Sequence, residues 1–226
     1  MLRAAIFDFD GTVADTIPVI QAALNITMKR LGFPALSYEQ VIQAINNGAR
    51  MLIRDVLPVE LRDNDAEVDR ILAIYLKDYR ACHLDTKEAY DGIPALFERL
   101  HAEGWRLAVL SNKHDDMVKN LSLQTLPVGT VDAAQGVIAG KPPKPDPYLV
   151  NRICEHLGVR PEECVMIGDS DVDVLTAQNA GMQHIGVTWG YRSEEILREK
   201  GATHLAHDAT ELEHLLRQMK KETEEC

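Results

Sequence analysis

Two aspartates spaced two apart, Asp8 and Asp10, close a short apolar run and are followed at once by Gly11. On an extended segment residues i and i+2 face the same side, so both carboxylates can serve one site while Phe9 turns into the core. A carboxylate beside a second carboxyl offers a nucleophile with a proton-transfer partner. Gly11 permits the tight turn that releases the chain. A second acidic group, Gly168-Asp169-Ser170-Asp171-Val172-Asp173, follows another apolar run, and Ser111-Asn112-Lys113 ends a third. Oxygen donors in this number repel one another unless a cation joins them. They suit Mg²⁺, which keeps several waters and accepts a substrate phosphate as a further ligand. The sulfur and imidazole donors that mark zinc are not at these run ends. Solvated turn carboxylates are the plain alternative for Asp8 and Asp10, and the second acidic cluster argues against it. Asp171 reads as a first-turn acid favoured by the helix dipole, Ser111 equally as a helix cap, and Lys113 either as a substrate contact or, as is commoner for a lone lysine after a strand, as a solvated one.

These residues must be positioned by something. Apolar runs at 4–9, Trp105–Leu110, Cys164–Ile167 and His184–Val187 read as buried strands, with helical periodicity between them. Helices are expected to stop at Gly104, Gly158 and Gly181, since glycine commonly follows a helix end. Strands alternating with helices give a parallel sheet covered on both faces, whose site lies outside the carboxyl ends of the strands. Residues from Thr16 to Asp85 break the alternation with four helical patterns: Ile17–Leu31, a start at the capping box Ser37-Tyr38-Glu39-Gln40, Ala49–Leu57 and Ala66–Cys82. Some 70 residues exceed what one crossover needs. The expected fold is therefore α/β, a doubly wound parallel-sheet (Rossmann-like) core of residues 1–15 and 86–226 with an inserted all-α cap of 16–85. Helices lying along one sheet face are the alternative.

The run Asp8-Phe9-Asp10-Gly11-Thr12-Val13 resembles the first motif of the haloacid dehalogenase superfamily, whose phosphatases carry D-x-D-G-T/V. Ser111 after an apolar strand is similar to its second motif, a lysine before Pro-x-Pro to its third, and Gly168-Asp169-Ser170-x-x-Asp173 to its fourth. All four stand in the expected order along the chain. The resemblance implies Asp8 as the nucleophile that becomes aspartyl-phosphate and Asp10 as the acid and base. It implies Ser111, with Thr12 and Asn112, at the phosphate. It also implies Mg²⁺ held by Asp8, the backbone carbonyl of Asp10 and Asp169, with Asp173 holding metal-bound water. Two lysines compete for the third motif in Gly140-Lys141-Pro142-Pro143-Lys144-Pro145-Asp146-Pro147; only Lys144 precedes Pro-x-Pro. In the helical block, Asn46-Asn47-Gly48-Ala49-Arg50 reads either as a loop with a surface arginine or as a specificity loop. In the second case the planar fork of Arg50 would meet a substrate carboxylate. Within the superfamily the pattern is most similar to the phosphoglycolate phosphatase group.

Composition is that of an ordinary soluble globular protein: 226 residues, 46% apolar, 26% charged, formal net charge −11. That charge gives no basic surplus to displace counterions from nucleic acid or an anionic membrane. The first residues lack the apolar core of a signal peptide. Cys82, Cys154, Cys164 and Cys226 show no paired spacing and read as reduced thiols of a cytoplasmic protein, Cys164 as core packing. The eight histidines show no ligand-like pairing. The partner expected is a small phosphorylated metabolite, with no nucleic acid and no membrane, the chain acting as monomer or homodimer. A β-phosphoglucomutase-like mutase, a pyrophosphatase or nucleotidase, and a non-catalytic phosphate-binding module are the alternatives. A dinucleotide-binding oxidoreductase lacks its G-x-G-x-x-G turn.

Overall fold

The computed structural model describes residues 1–82 and 89–224. The expected boundary at 85 and 86, together with His83 and Cys226, lies outside the described residues. The chain divides into two compact units, Met1–Asp15 with Glu88–Cys226, and Thr16–Lys87.

The first unit opens with β1 (Ala4–Phe7), four fully buried residues. After the second unit come α6 (Ile93–Ala102), β2 (Arg106–His114), α7 (Asp115–Thr125), β3 (Ala133–Val137) and α8 (Tyr148–Leu157). Then follow β4 (Cys164–Gly168), α9 (Asp171–Ala180), β5 (Gln183–Val187), α10 (Glu194–Glu199), β6 (His204–Ala206) and α11 (Ala209–Glu224). Among the described residues the strands form one sheet of order β3-β2-β1-β4-β5-β6, every pair parallel. The order reverses at β1, where Phe7 pairs with Val109 on one side and Ile167 on the other. A doubly wound sheet opens its crevice at such a switch point.

Alternation along the strands divides the core into two layers. Ala5, Phe7, Val165 and Ile167 pack with Leu96, Phe97, Val118, Leu121, Leu212 and Leu216 from α6, α7 and α11. Ala4, Ile6, Cys164 and Met166 pack against Leu149, Val150, Ile153 and Ala177 from α8 and α9. Burial of residues of this size contributes roughly 1.5–3 kcal/mol each. Cys164 is part of this core, its sulfur 3.7 Å from that of Cys154, and both are free thiols. Helix ends fall where glycine allows: Gly158 and Gly181 take left-handed conformations after α8 and α9.

The expected strands were each found, with two additions. Strand β3 is Ala-Ala-Gln-Gly-Val and β6 only three residues long, so neither carries the branched apolar run that signals a strand. Strand β2 runs four residues beyond Leu110, out of regular register with β3.

The second unit holds α1 (Ile17–Leu31), α2 (Tyr38–Ala44), α3 (Ala49–Val56), α4 (Val59–Arg62) and α5 (Asp65–Cys82). Gly32 ends α1 in a left-handed conformation, and Ser37 and Gln40 form the capping box of α2. The short α4, after Pro58, was not legible as a separate pattern. Helices α1 and α5 pack together, pinned by buried Asp78, which accepts from Thr27 Oγ1 at 2.9 Å and Arg30 Nη2 at 2.8 Å. No helix among the described residues is long and apolar enough to cross a membrane.

Glu213 of α11 clips the first unit together from outside the sheet. It accepts from Arg99 Nε at 3.0 Å and Nη2 at 2.7 Å, and Arg99 holds its carboxyl below the usual range. Glu213→Gln should lower the unfolding free energy at pH 7 by about 1–2 kcal/mol, the scale of a partly screened charge-assisted contact. A carboxyl depressed in the folded state stabilises above its unfolded value near 4.5 and loses that contribution as pH falls through the folded value. The gap between wild-type and variant urea midpoints should therefore narrow as pH falls below 4.5 and close once the pH is below the folded-state value. Equal midpoints at pH 7 would show that the clip contributes nothing.

Candidate active site

The site grows from the ends of β1, β2 and β4. After Phe7 the chain turns tightly: Val13 N–H reaches Phe9 C=O at 3.0 Å and Gly11 N–H reaches Ala14 C=O at 2.9 Å, with Gly11 at φ +80°. Phe9 is fully buried in the core, as its spacing between two acids requires. Asp8 is buried, and its Oδ1 lies 2.9 Å from Lys144 Nζ. The same ammonium lies 2.6 Å from Asp173 Oδ1 and donates to Leu110 C=O at 3.3 Å. Lys144 is thus the lysine of this cluster. Lys141 is exposed, its ammonium 5.0 Å from the centre of the Tyr148 ring.

Asp169, at the end of β4, is fully buried and held from two sides. Thr12 Oγ1 donates to its Oδ1 at 3.2 Å and the Tyr191 N–H to its Oδ2 at 2.7 Å. Asp173, in the first turn of α9, also receives the Ser170 N–H at 3.1 Å and Oγ–H at 2.6 Å. Asp8, Asp169 and Asp173 each offer one carboxylate oxygen, all within 4.8 Å of one another. The side chain of Asp10 faces β2. It lies 3.0 Å from Lys113 Nζ and accepts from Ser111 Oγ at 3.4 Å. Of the two readings of Lys113, the solvated one does not hold, since its side chain is only 11% exposed beside Asp10.

Electrostatics follow from the count. Three buried carboxylates surround one ammonium, which leaves two formal negative charges. Like charges this close repel by roughly 3–4 kcal/mol even at an effective dielectric near 20. Burial, helped by Asp173, pushes Asp169 up to about 7. Burial likewise raises Asp8 well above the carboxylate range, against the lowering pull of Lys144. Burial alone would lower Lys144, but Asp173 and Asp8 outweigh it and hold the ammonium above its usual range. Oxygen donors with an excess of two negative charges fit a divalent cation with hard-ligand preferences.

The remaining residues expected at the phosphate have defined occupations. Thr12 is buried against Asp169. Ser111 lies within β2 rather than at a helix cap, since His114 caps α7. The Asn112 side chain clamps the backbone of Lys144, its Nδ2 donating to Lys144 C=O at 3.0 Å and its Oδ1 accepting Lys144 N–H at 2.8 Å. Arg50, in the second unit, donates from Nη2 to Asp65 at 2.6 Å and from Nε to Asp69 at 2.7 Å, bridging α3 to α5.

One segment escaped the sequence reading. Thr188-Trp189-Gly190-Tyr191 follows β5, a recognised strand, yet carries no acid or nucleophile to draw notice. Its Trp189 Nε1 donates to Thr12 C=O at 3.2 Å and its Tyr191 N–H fixes Asp169. The signal was Gly190 after a strand end. A Cβ there would lie 2.2 Å from Asp169 Cβ, and one at Gly11 2.5 Å from Asp169 Oδ2.

The switch point of this Rossmann-like parallel sheet thus gathers three buried carboxylates around one lysine. Comparison with known proteins then gives the family. The chain belongs to the haloacid dehalogenase-like hydrolases, whose family model matches residues 5–187. It is 30% identical over 215 residues to phosphoglycolate phosphatase from Psychrobacter arcticus, covering 92% of each chain. The figure is 33% over 191 residues for phosphoglycolate phosphatase from Aquifex aeolicus, covering 84% of this chain and 86% of that one. Among solved structures, a Lactobacillus delbrueckii subsp. bulgaricus protein provisionally named phosphoglycolate phosphatase superposes with a TM-score of 0.86. It shares 31% identity, over 94% of this chain and 97% of that one.

Gly190→Ala should push the Asp169 carboxylate out of place without touching any reactive group. The expected result is a divalent-cation affinity lower by roughly 10- to 100-fold, the usual effect of disturbing a ligand's support. Metal-induced thermal shifts of wild type and variant measure it, and an unchanged affinity would remove Asp169 from the metal site.

Proposed function

We infer that this enzyme hydrolyses a small phosphate monoester by transferring its phosphoryl group to Asp8, and that the substrate is 2-phosphoglycolate. The observation that carries the chemistry is the Asp8 carboxylate, buried at the end of β1 with the Lys144 ammonium at 2.9 Å and the Asp10 carboxyl two residues on. A carboxylate oxygen of Asp8 attacks phosphorus as the ester P–O bond breaks, and Asp10 gives its proton to the departing oxygen. Water then attacks the phosphorus of the aspartyl-phosphate. Asp10 takes the water's proton, and phosphate leaves as the Asp8 carboxylate is restored. Lys144 draws charge from the nucleophile and the transferring group, and Ser111 offers a hydroxyl beside them. Phosphoryl transfer depends mainly on such positioning and charge neutralisation.

Mg²⁺ is the ion that suits the donor set; held by Asp8, Asp169 and the Asp10 carbonyl, with Asp173 beyond, it would neutralise phosphate charge. The substrate is supported by the names of the relatives, which match most of this chain at about 30% identity. Arg50 gives that assignment less support, because its fork is already engaged by Asp65 and Asp69.

Asp8→Asn tests the chemistry. The amide keeps the shape and loses the nucleophile, so phosphate release from 2-phosphoglycolate should fall by at least about 10³-fold in a folded protein. Retention of more than a few per cent of the rate would exclude Asp8 as nucleophile. A panel of phosphate esters at fixed Mg²⁺ tests the substrate: kcat/KM for 2-phosphoglycolate should exceed that for sugar phosphates, nucleotides and pyrophosphate by at least roughly tenfold. A sugar bisphosphate-dependent isomerisation without net phosphate release would replace hydrolysis with the mutase reaction.

A further inference from the structure

The irregular end of β2 does more than supply a hydroxyl. Past Leu110 the strand loses its register with β3, and residues 111–113 reach into the site. Alternation sends Asn112 to the Lys144 backbone and turns Ser111 and Lys113 together toward Asp10.

Both oxygens of the Asp10 carboxylate are then held by one short segment. The Lys113 ammonium lies 3.0 Å from Oδ1, where the two side chains are 11% and 16% exposed. Ser111 Oγ donates to Oδ2 at 3.4 Å, and the Lys113 backbone N–H donates to that same Oγ at 3.3 Å. Lys113 therefore grips Asp10 twice, once through its side chain and once through Ser111. A carboxyl that moves a proton must present the correct oxygen within about 3 Å of the departing atom, so its plane matters as much as its presence.

We propose that Lys113 is the positioning residue for Asp10, orienting its carboxyl toward the leaving oxygen during phosphorylation of Asp8. This rests on the reading of Asp10 as the proton donor. Lys113 does not itself take part in bond making; the proton passes from Asp10 to the ester oxygen as the P–O bond breaks. The consequence depends on the leaving group. An ester that expels a stable phenolate needs little protonation, whereas one that expels a basic oxygen depends on it fully.

The test is a series of aryl phosphates with uncharged rings, ordered by leaving-group basicity: p-nitrophenyl, phenyl and p-methoxyphenyl. None carries a carboxylate, so any direct recognition of a second anion by Lys113 drops out. The quantity is kcat/KM, which reports the first phosphoryl transfer, for wild type, Lys113→Met, Lys113→Arg and Asp10→Asn. Lys113→Met should steepen the dependence on leaving-group basicity toward that of Asp10→Asn. Its loss on the least activated ester should be about 10- to 100-fold larger than its loss on p-nitrophenyl phosphate. Lys113→Arg, which keeps a cation near Oδ1, should recover part of the slope, and it carries the test if the methionine variant does not fold. Equal losses across the series, or no loss, would overturn the proposal while leaving Asp10 as the acid if Asp10→Asn steepens the slope. If Asp10→Asn leaves the slope unchanged, the proton-donor reading fails and the proposal falls with it.

Discussion

Burying three carboxylates within 4.8 Å of one another around a single ammonium is the constraint on which the rest of the core unit turns. Such a cluster is unstable in isolation, because each charge loses its water and gains two repelling neighbours. Lys144 relieves part of this by touching both Asp8 and Asp173. The excess of two negative charges is what makes the site receptive to a divalent cation and to a phosphoryl group that brings its own charge with that cation.

Precision at this cluster is supplied by groups with no chemistry of their own. The Asn112 amide fixes the backbone that carries Lys144, and the Tyr191 N–H and Thr12 hydroxyl fix Asp169. Gly11 and Gly190 leave room for the Asp169 carboxylate, and Gly168 does the same for Asp173, whose Cγ would stand 2.2 Å from a Cβ there. These supports come from the ends of four strands, β1, β2, β4 and β5, so the parallel sheet acts as the jig that sets their spacing. Rigid support of this kind is why a methyl group in place of a glycine hydrogen should matter as much as the loss of a ligand.

Residues that carry charge at strand ends were the legible part. Asp8, Asp10, Ser111, Lys144, Asp169 and Asp173 could be named from type, spacing and family resemblance, because strand ends announce themselves by apolar runs. Helix limits in the second unit were legible through Gly32 and the Ser37 capping box. What stayed hidden shares a physical cause: it depends on contacts between segments distant in the chain. The role of Tyr191 is that of a backbone N–H, invisible in any side-chain pattern. The contact of Lys113 with Asp10 was hidden because nothing in the sequence shows that β2 continues beyond Leu110 and carries it there. Arg50 looked available for a ligand because Asp65 and Asp69 lie a helix away, and only folding brings them to it. Strand β3 is hidden for a simpler reason, since alanine and glycine carry little β preference.

The central claim is that the buried carboxylates require a divalent cation to reach charge balance. Calorimetric titration of the metal-free protein with Mg²⁺ tests it most directly, alongside the Asp169→Asn variant. One ion per chain is expected, with a rise in thermal stability on binding, and both should be lost or weakened by at least roughly tenfold in the variant. Absence of binding to the wild type, or equal binding by the two proteins, would contradict the account.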